Sequence, residues 1–358
     1  MREQDYYERG YGEDPRRAPR SAQSAKKKRK KRKNRGERVA VTLLSLLFLT
    51  VAVVAAVKYV VRAPEPAADD PDQQTEQDGT QNEDENAIQT TSNGRERKSK
   101  YCYNILLYGV DNDAGGSDTN MLMRFDAENK TVDVVSLPRD TLMSNGHKLN
   151  SSYNNGGTEK LRSNIEDMLG VPVDYYVSVD LKGFIALIDQ IGGVDFDVPC
   201  DMDYDDPYQD LHIHFKAGLQ HLDGQQAMEV VRFRHNNDNT GYGGRQDLGR
   251  IETQQAFLKA VAQKLMKLEN VPAMAETFLK YVKTDLTLGN LAWLANEALS
   301  MGGMDVITFA TLPGDGSGWY KGMSVYALDP EQVLAMTNSM LNPYAADITA
   351  DDQNILVP

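Results

Sequence analysis

The chain has 358 residues, 41% of them hydrophobic, and a net charge of −13 from 52 acidic and 39 basic side chains. That charge is split: residues 1–38 carry a net +9 and residues 39–358 a net −22. A domain this acidic excludes general nucleic-acid affinity, and the basic block needs a local explanation.

The block is residues 26–33, eight Lys and Arg in a row, and it lies just before residues 39–57, nineteen residues without a charge. That run includes Leu43, Leu44, Leu46, Leu47, Phe48 and Leu49 and is about long enough to cross a bilayer as a helix, with Lys58 and Tyr59 at the far interface. It is long for a secretory signal and lacks a clean small-x-small exit. The expectation is one transmembrane helix over residues 39–61. The excess of positive charge then places residues 1–38 in the cytoplasm, touching anionic lipid, and everything after Arg62 outside the cell membrane. Residues 62–100, with Pro64, Pro66, Pro71 and many Asp, Glu and Gln, have too few large apolar groups to fold and read as a disordered acidic linker.

Residues 101–345 have the composition of one globular domain with a substantial core, followed by a tail over 346–358. Residues 104–110 read as a buried strand. Residues 120–125 and 132–137 read as two more, joined by a polar turn at 126–130. A hairpin made of those two brings its open ends together. Asp118 precedes its first strand, Arg139 follows its second, and Asp111 ends the preceding strand only seven residues before Asp118. The three side chains should converge at one sheet edge, where ligands of open α/β sheets bind. Further on come a helix over 158–169 stopped by Gly170, a strand over 173–181, a helix over 183–191 ended by Gly192-Gly193, and a short strand over 194–198. Asp223 caps a helix running through Met228. Residues 230–233 then read as extended, which would put Arg232 and Arg234 on one face. An amphipathic helix over 251–266 turns Ile251, Phe257, Leu258, Val261 and Leu265 inward. A helix over 289–301, a strand over 306–312 and a helix over 330–341 complete an α/β/α sandwich around a central mixed sheet.

The chemistry-bearing residues are acids and arginines. Two carboxylates such as Asp111 and Asp118 are what magnesium wants when phosphate oxygens complete its shell. Arginine forks match phosphate oxygens in two-point geometry, and Arg139, Arg232, Arg234, Arg245 and Arg250 supply them. Arg250 opens a helix and shares a face with Gln254 at i+4. Asp247 stands close to the cap position of that helix, and its alternative role is capping. Together they suggest chemistry on a polyphosphate. Two patterns look chemical and fall short. Asp201, Asp203 and Asp205 open like a calcium loop, but Asp206 replaces the required glycine and His212 the closing Glu. His212 and His214 alternate on a strand without an evident third metal ligand. Neither a G-x-S-x-G elbow nor an H-E-x-x-H motif occurs. Cys102 and Cys200, both outside, either pair or are two buried thiols.

The ordered set Gly109-Val110-Asp111, Ser117-Asp118-Thr119, Ser136-Leu137-Pro138-Arg139-Asp140, Lys148-Leu149-Asn150, Ile191-Gly192-Gly193-Val194, Leu222-Asp223-Gly224-Gln225-Gln226-Ala227, Val231-Arg232-Phe233-Arg234 and Asp247-Leu248-Gly249-Arg250-Ile251-Glu252 resembles the LytR-CpsA-Psr family over roughly residues 101–266. The resemblance implies an α/β/α domain with a long apolar pocket, outside the cell on a single-pass anchor. It implies an enzyme that transfers a teichoic acid or capsular polysaccharide from an undecaprenyl-pyrophosphate carrier to peptidoglycan through a phosphodiester. By motif match, Asp111 and Asp118 would hold Mg²⁺ (Mn²⁺ as a substitute). Arg139, Arg232, Arg234 and Arg250, with Gln254, would hold the pyrophosphate. Arg245 stands ready to compensate for two departures, Gly116 and Met143, at places where the family carries arginine. Asp118, Arg139, Arg234 and Asp247 are the expected catalytic set, with Asp118 or Asp247 as proton acceptor. The rival readings are a polyprenyl-lipid-binding scaffold without catalysis and a pyrophosphatase that passes phosphate to water.

Overall fold

The computed structural model describes residues 61–66, 95–110, 116–208, 210–267 and 278–358. The basic tail, nearly all of the expected membrane span, most of the linker and Asp111 lie outside them. Among the described residues no helix is long and apolar enough to cross a membrane.

The core is a six-stranded mixed sheet. Its first hairpin pairs β1 (Cys102–Val110) with β2 (Ser117–Asp126), and β2 pairs with β3 (Thr131–Ser136), both antiparallel. β4 (Tyr175–Asp180) lies parallel to β1, β9 (Val282–Thr284) antiparallel to β4, and β10 (Ile307–Thr311) parallel to β3, giving the order β10-β3-β2-β1-β4-β9. Side chains alternate across the sheet because strand periodicity is two. Leu106, Tyr108, Leu122 and Val135 face one layer with Leu161 and Ile165 of helix α2 (Gly157–Leu169), which follows the short α1 (Asn150–Asn154). Tyr103, Ile105, Met121 and Val134 face the other, where Leu258 of α5 (Gln246–Leu265) and Trp293 of α6 (Leu288–Ser300) pack. Helix, sheet and helix form the expected sandwich.

A second core stands beside the sheet. It joins α3 (Leu181–Gln190), α4 (Gly224–Arg232) and Phe257 of α5 to two hairpins, β5 (Val194–Val198) with β8 (Gly218–Leu222) and β6 (Met202–Asp206) with β7 (Leu211–Phe215). The helix starts are set by side chains: Asp180 accepts from the Gly183 amide, and Asp223 forms a reciprocal box with Gln226. The hairpin β11 (Gly314–Tyr320) with β12 (Met323–Leu328), and α7 (Pro330–Met336) running into one wide π turn at Thr337–Leu341, close the first layer.

Several expectations need correction. β2 starts at Ser117, so Asp118 lies inside the strand, at a bulge: Ser117 pairs with Val110 and Thr119 with Gly109, which leaves Asp118 between two paired residues. Residues 230–232 continue α4, because the capped helix keeps its register for about one more turn beyond Met228; Arg232 and Arg234 therefore do not share a strand face. α5 begins at Gln246, which puts Arg250 a full turn inside it. The folded part is wider than 101–345. Arg97 forms a buried ion pair with Asp174 at 2.5 Å and donates to the Cys102 carbonyl. The Pro64 carbonyl accepts from the Tyr103 hydroxyl. Residues 346–358 pack Ile348 and Ile355 onto the first core. Gly170, in the left-handed region at φ 69°, lies so close to this segment that a Cβ would come within 2.7 Å of the Asp352 carbonyl oxygen. Cys102 and Cys200 are both free thiols: Cys102 is buried, and Cys200 is half-buried against the second core.

Candidate functional site

The sheet's hairpin does what strand geometry requires: it brings Asp118 of β2 and Arg139 beyond β3 into a direct ion pair. Arg139 is anchored on its own backbone, its carbonyl accepting from the Asn150 amide, and its Nε lies 3.7 Å from Asp140, which Lys148 also reaches at 3.0 Å. The second core brings the rest. Arg250, 4% exposed, donates from Nη2 to Asp247 at 2.6 Å and to the Asp118 carbonyl at 3.3 Å. Arg234 places Nε 3.6 Å from the same Asp247 carboxylate. Gln254, one turn beyond Arg250, donates to the Thr119 hydroxyl at 3.0 Å and to the Val231 carbonyl at 3.1 Å, tying β2, α4 and α5 together.

These groups form the polar end of a cavity of about 730 Å³ lined by Asp118, Arg139, Arg232, Arg234, Arg250 and Gln254. Its remaining walls are mostly apolar and come from β1, β4, α3 and α5, including Phe184, Ile188, Phe257, Leu258 and Val261. The inward residues read from the α5 sequence thus split in role: Phe257 and Leu258 pack in the cores and also wall the cavity, together with Val261 and Leu265. Tyr204 of β6, Leu211 of β7 and His235, whose ring meets Tyr204 edge-on at 5.6 Å, form part of the wall too.

The electrostatics favour an anion. Burial, opposed by Asp247 and reinforced by repulsion from Arg234 and Arg139, pushes Arg250 down to about 10. The Nε atoms of Arg139 and Arg250 are buried and find no hydrogen-bond partner among the described residues. A buried cation pressed by other cations, with donors unspent, is a site short of negative charge.

Not every expected residue joins this cluster. Arg245 pairs with Glu252 on a separate open groove near Gly243 and Gly244, because it sits just before the first turn of α5 and points away from the cavity. Asp247 makes no cap; its carboxylate bridges two arginines instead. Gly116 donates to Asn154 at φ 87°, and a Cβ there would come within 3.1 Å of the Asn150 carbonyl, so this backbone disfavours an arginine. Met143 is buried in the first core and is no substitute for a cationic contact. Sequence reading missed Asp180 and Thr119 in the lining; only Asp180, as a helix cap, left a local signal. For a divalent ion, Asp118 offers a hard carboxylate donor about one-third exposed at the cavity mouth, which suits magnesium.

The model of the LytR_cpsA_psr family matches residues 68–342. The chain is 32% identical over 205 residues to the polyisoprenyl-teichoic acid–peptidoglycan teichoic acid transferase TagV of Bacillus subtilis (strain 168), covering 53% of this chain and 51% of that protein. It thus spans about half the length of TagV. It is 30% identical over 247 residues to the corresponding TagU of Bacillus cereus (strain ATCC 14579), covering 66% of this chain and 77% of TagU. The crystal structure of B. subtilis TagV superposes with a TM-score of 0.58 at 26% identity, over 66% of this chain and 95% of the crystallised one. Motif order, sandwich and arginine-lined cavity agree with a match over three quarters of the length: the chain belongs to the LytR_cpsA_psr family.

Proposed function

We propose that this protein transfers a wall glycopolymer, a teichoic acid or a related polysaccharide, from an undecaprenyl-pyrophosphate carrier to peptidoglycan. The observation that carries the reading is one cavity with two chemistries: apolar walls that suit a polyprenyl chain, and a lining that also includes Arg139, Arg232, Arg234 and Arg250, of which Arg139 and Arg250 contact Asp118 directly. The names of the relatives, teichoic acid transferases acting on polyisoprenyl carriers and peptidoglycan, support the same class.

In the proposed reaction an acceptor sugar hydroxyl attacks the phosphorus that bears the glycopolymer. The bond from that phosphorus to the bridging oxygen breaks, and polyprenyl phosphate leaves with the electron pair. The hydroxyl proton passes to a carboxylate at the mouth, Asp118 or Asp247. The arginines hold the diphosphate in line and neutralise charge as it moves to the leaving oxygen. Magnesium, held by Asp118 and, from the motif, Asp111, would add charge neutralisation on the phosphate oxygens. We place the domain outside the cell membrane on a single anchor over residues 39–61.

The test is the full-length chain in detergent with a polyprenyl-pyrophosphate-linked polymer, with and without magnesium and glycan acceptor. Polymer–glycan product and stoichiometric polyprenyl phosphate, lost in Asp118→Asn, are expected. Phosphate release to water without linkage would establish a pyrophosphatase, and binding without turnover a scaffold; either would end the transfer reading.

A further inference from the structure

We propose a second metal site, for zinc or a zinc-like divalent ion, on the outer face of the β6–β7 hairpin, held by His212, His214 and Asp205. The register pairs Asp203 with His214 and Asp205 with His212 directly across the strands. Period-two alternation then puts all four side chains on one exposed face, while Met202, Leu211 and Ile213 turn into the second core. His212 Nδ1 lies 2.5 Å from Asp205 Oδ1, His214 Nε2 lies 3.4 Å from the same oxygen, and Asp203 holds His214 Nδ1 at 2.8 Å. One ligand atom from each of Asp205, His212 and His214 falls within 4.8 Å of the others, and no other such group occurs among the described residues. A tetrahedral ion with bonds of about 2.0 Å needs donors roughly 3.3 Å apart, within easy side-chain reach of this spacing.

The donor set decides the ion. Two imidazoles and one carboxylate suit zinc, nickel or copper; magnesium and calcium want oxygens. Asp203 on the far nitrogen of His214 is the carboxylate partner that metal-bound histidines usually have. Asp210 stands 3.7 Å from His212 Nε2, so three carboxylates face two imidazoles, and a divalent ion relieves the excess. The contrast is the neighbouring hairpin, where His221 meets only Asp195, at 2.7 Å, and forms no three-ligand group.

The hairpin is tied to the cavity mouth. The side-chain carbonyls of Asn236 and Asn237, just past Arg234, accept from the Asp203 and Asp205 amides, and Tyr204 and Leu211 line the cavity. An ion across β6 and β7 would staple this wall.

The test is zinc binding by the metal-stripped full-length chain, followed by dialysis and calorimetry. One zinc per chain is expected, weakened more than about 100-fold in His212→Ala and in Asp205→Asn. Asp118→Asn should bind as the unaltered chain does, which separates this site from the cavity mouth. Both ligands are exposed, so the variants are expected to keep the fold, which circular dichroism checks. Unchanged stoichiometry and affinity in His212→Ala, or no zinc retained by the unaltered chain, would overturn the proposal.

Discussion

Replacing Arg250 by methionine separates a substrate-binding arginine from a structural one. The side chain is almost fully buried, its one ion-pair partner among the described residues is Asp247, and Arg234 and Arg139 press on it. The positive charge is therefore a burden on the fold, and a methionine of similar length fills the space without it. Asp247, about one-third exposed, regains water and keeps Arg234. Folding stability is expected to stay within about 1 kcal/mol of the unaltered chain or to rise. Turnover should move the other way. One unit of charge about 4 Å from a phosphate oxygen, at an effective dielectric of about 20, is worth roughly 4 kcal/mol, and partial solvent access reduces this to about 2–4 kcal/mol. The expected loss in kcat/KM is thus about 30- to 1000-fold. Urea unfolding measures the first quantity and release of polyprenyl phosphate the second. A stability loss above about 3 kcal/mol, or activity within threefold of the unaltered chain, refutes the reasoning.

Other perturbations probe the remaining parts. Val261→Trp narrows the apolar cavity, and losing about two buried CH₂ groups costs roughly 1.6 kcal/mol, so KM for long-chain carriers should rise about tenfold while short-chain analogues change little. Equal effects on both would place the lipid elsewhere. Arg97→Met strands the buried Asp174 carboxylate and should cost about 3–5 kcal/mol in chemical denaturation, most of it recovered by adding Asp174→Leu. Burial pushes the Cys102 thiol up to about 12, well above its unfolded value. The folded state keeps a proton that the unfolded chain gives up, so this contribution is complete below the unfolded pKa and fades as pH rises towards 12, at up to about 1.4 kcal/mol per pH unit. Cys102→Ala should flatten the alkaline fall in stability, and native alkylation near pH 8 should spare Cys102.

Much of this protein is written in local pattern. The β2–β3 hairpin follows from two apolar runs around a polar turn, and its closure dictates that Asp118 meets Arg139. The helices after Asp180 and Asp223 follow from their caps, and the α5 stripe announces a helix with an apolar face. Periodicity and capping act within one or two turns, so residues near in sequence reveal them.

What tertiary structure decided depends on distances that no local pattern carries. Val230-Val231-Arg232 is a short β-branched stretch ending in a charge that strand and helix fit equally well, and the preceding cap chose the helix. Asp247 is a bridge between Arg234 and Arg250 because α4 and α5 dock side by side. Arg97 and residues 346–358 join the fold through partners more than seventy residues away. The third ligand for His212 and His214 is visible only once strand register sets Asp205 opposite. In each case the deciding quantity is the spacing between packed elements, which arises when the cores close and has no counterpart along the chain.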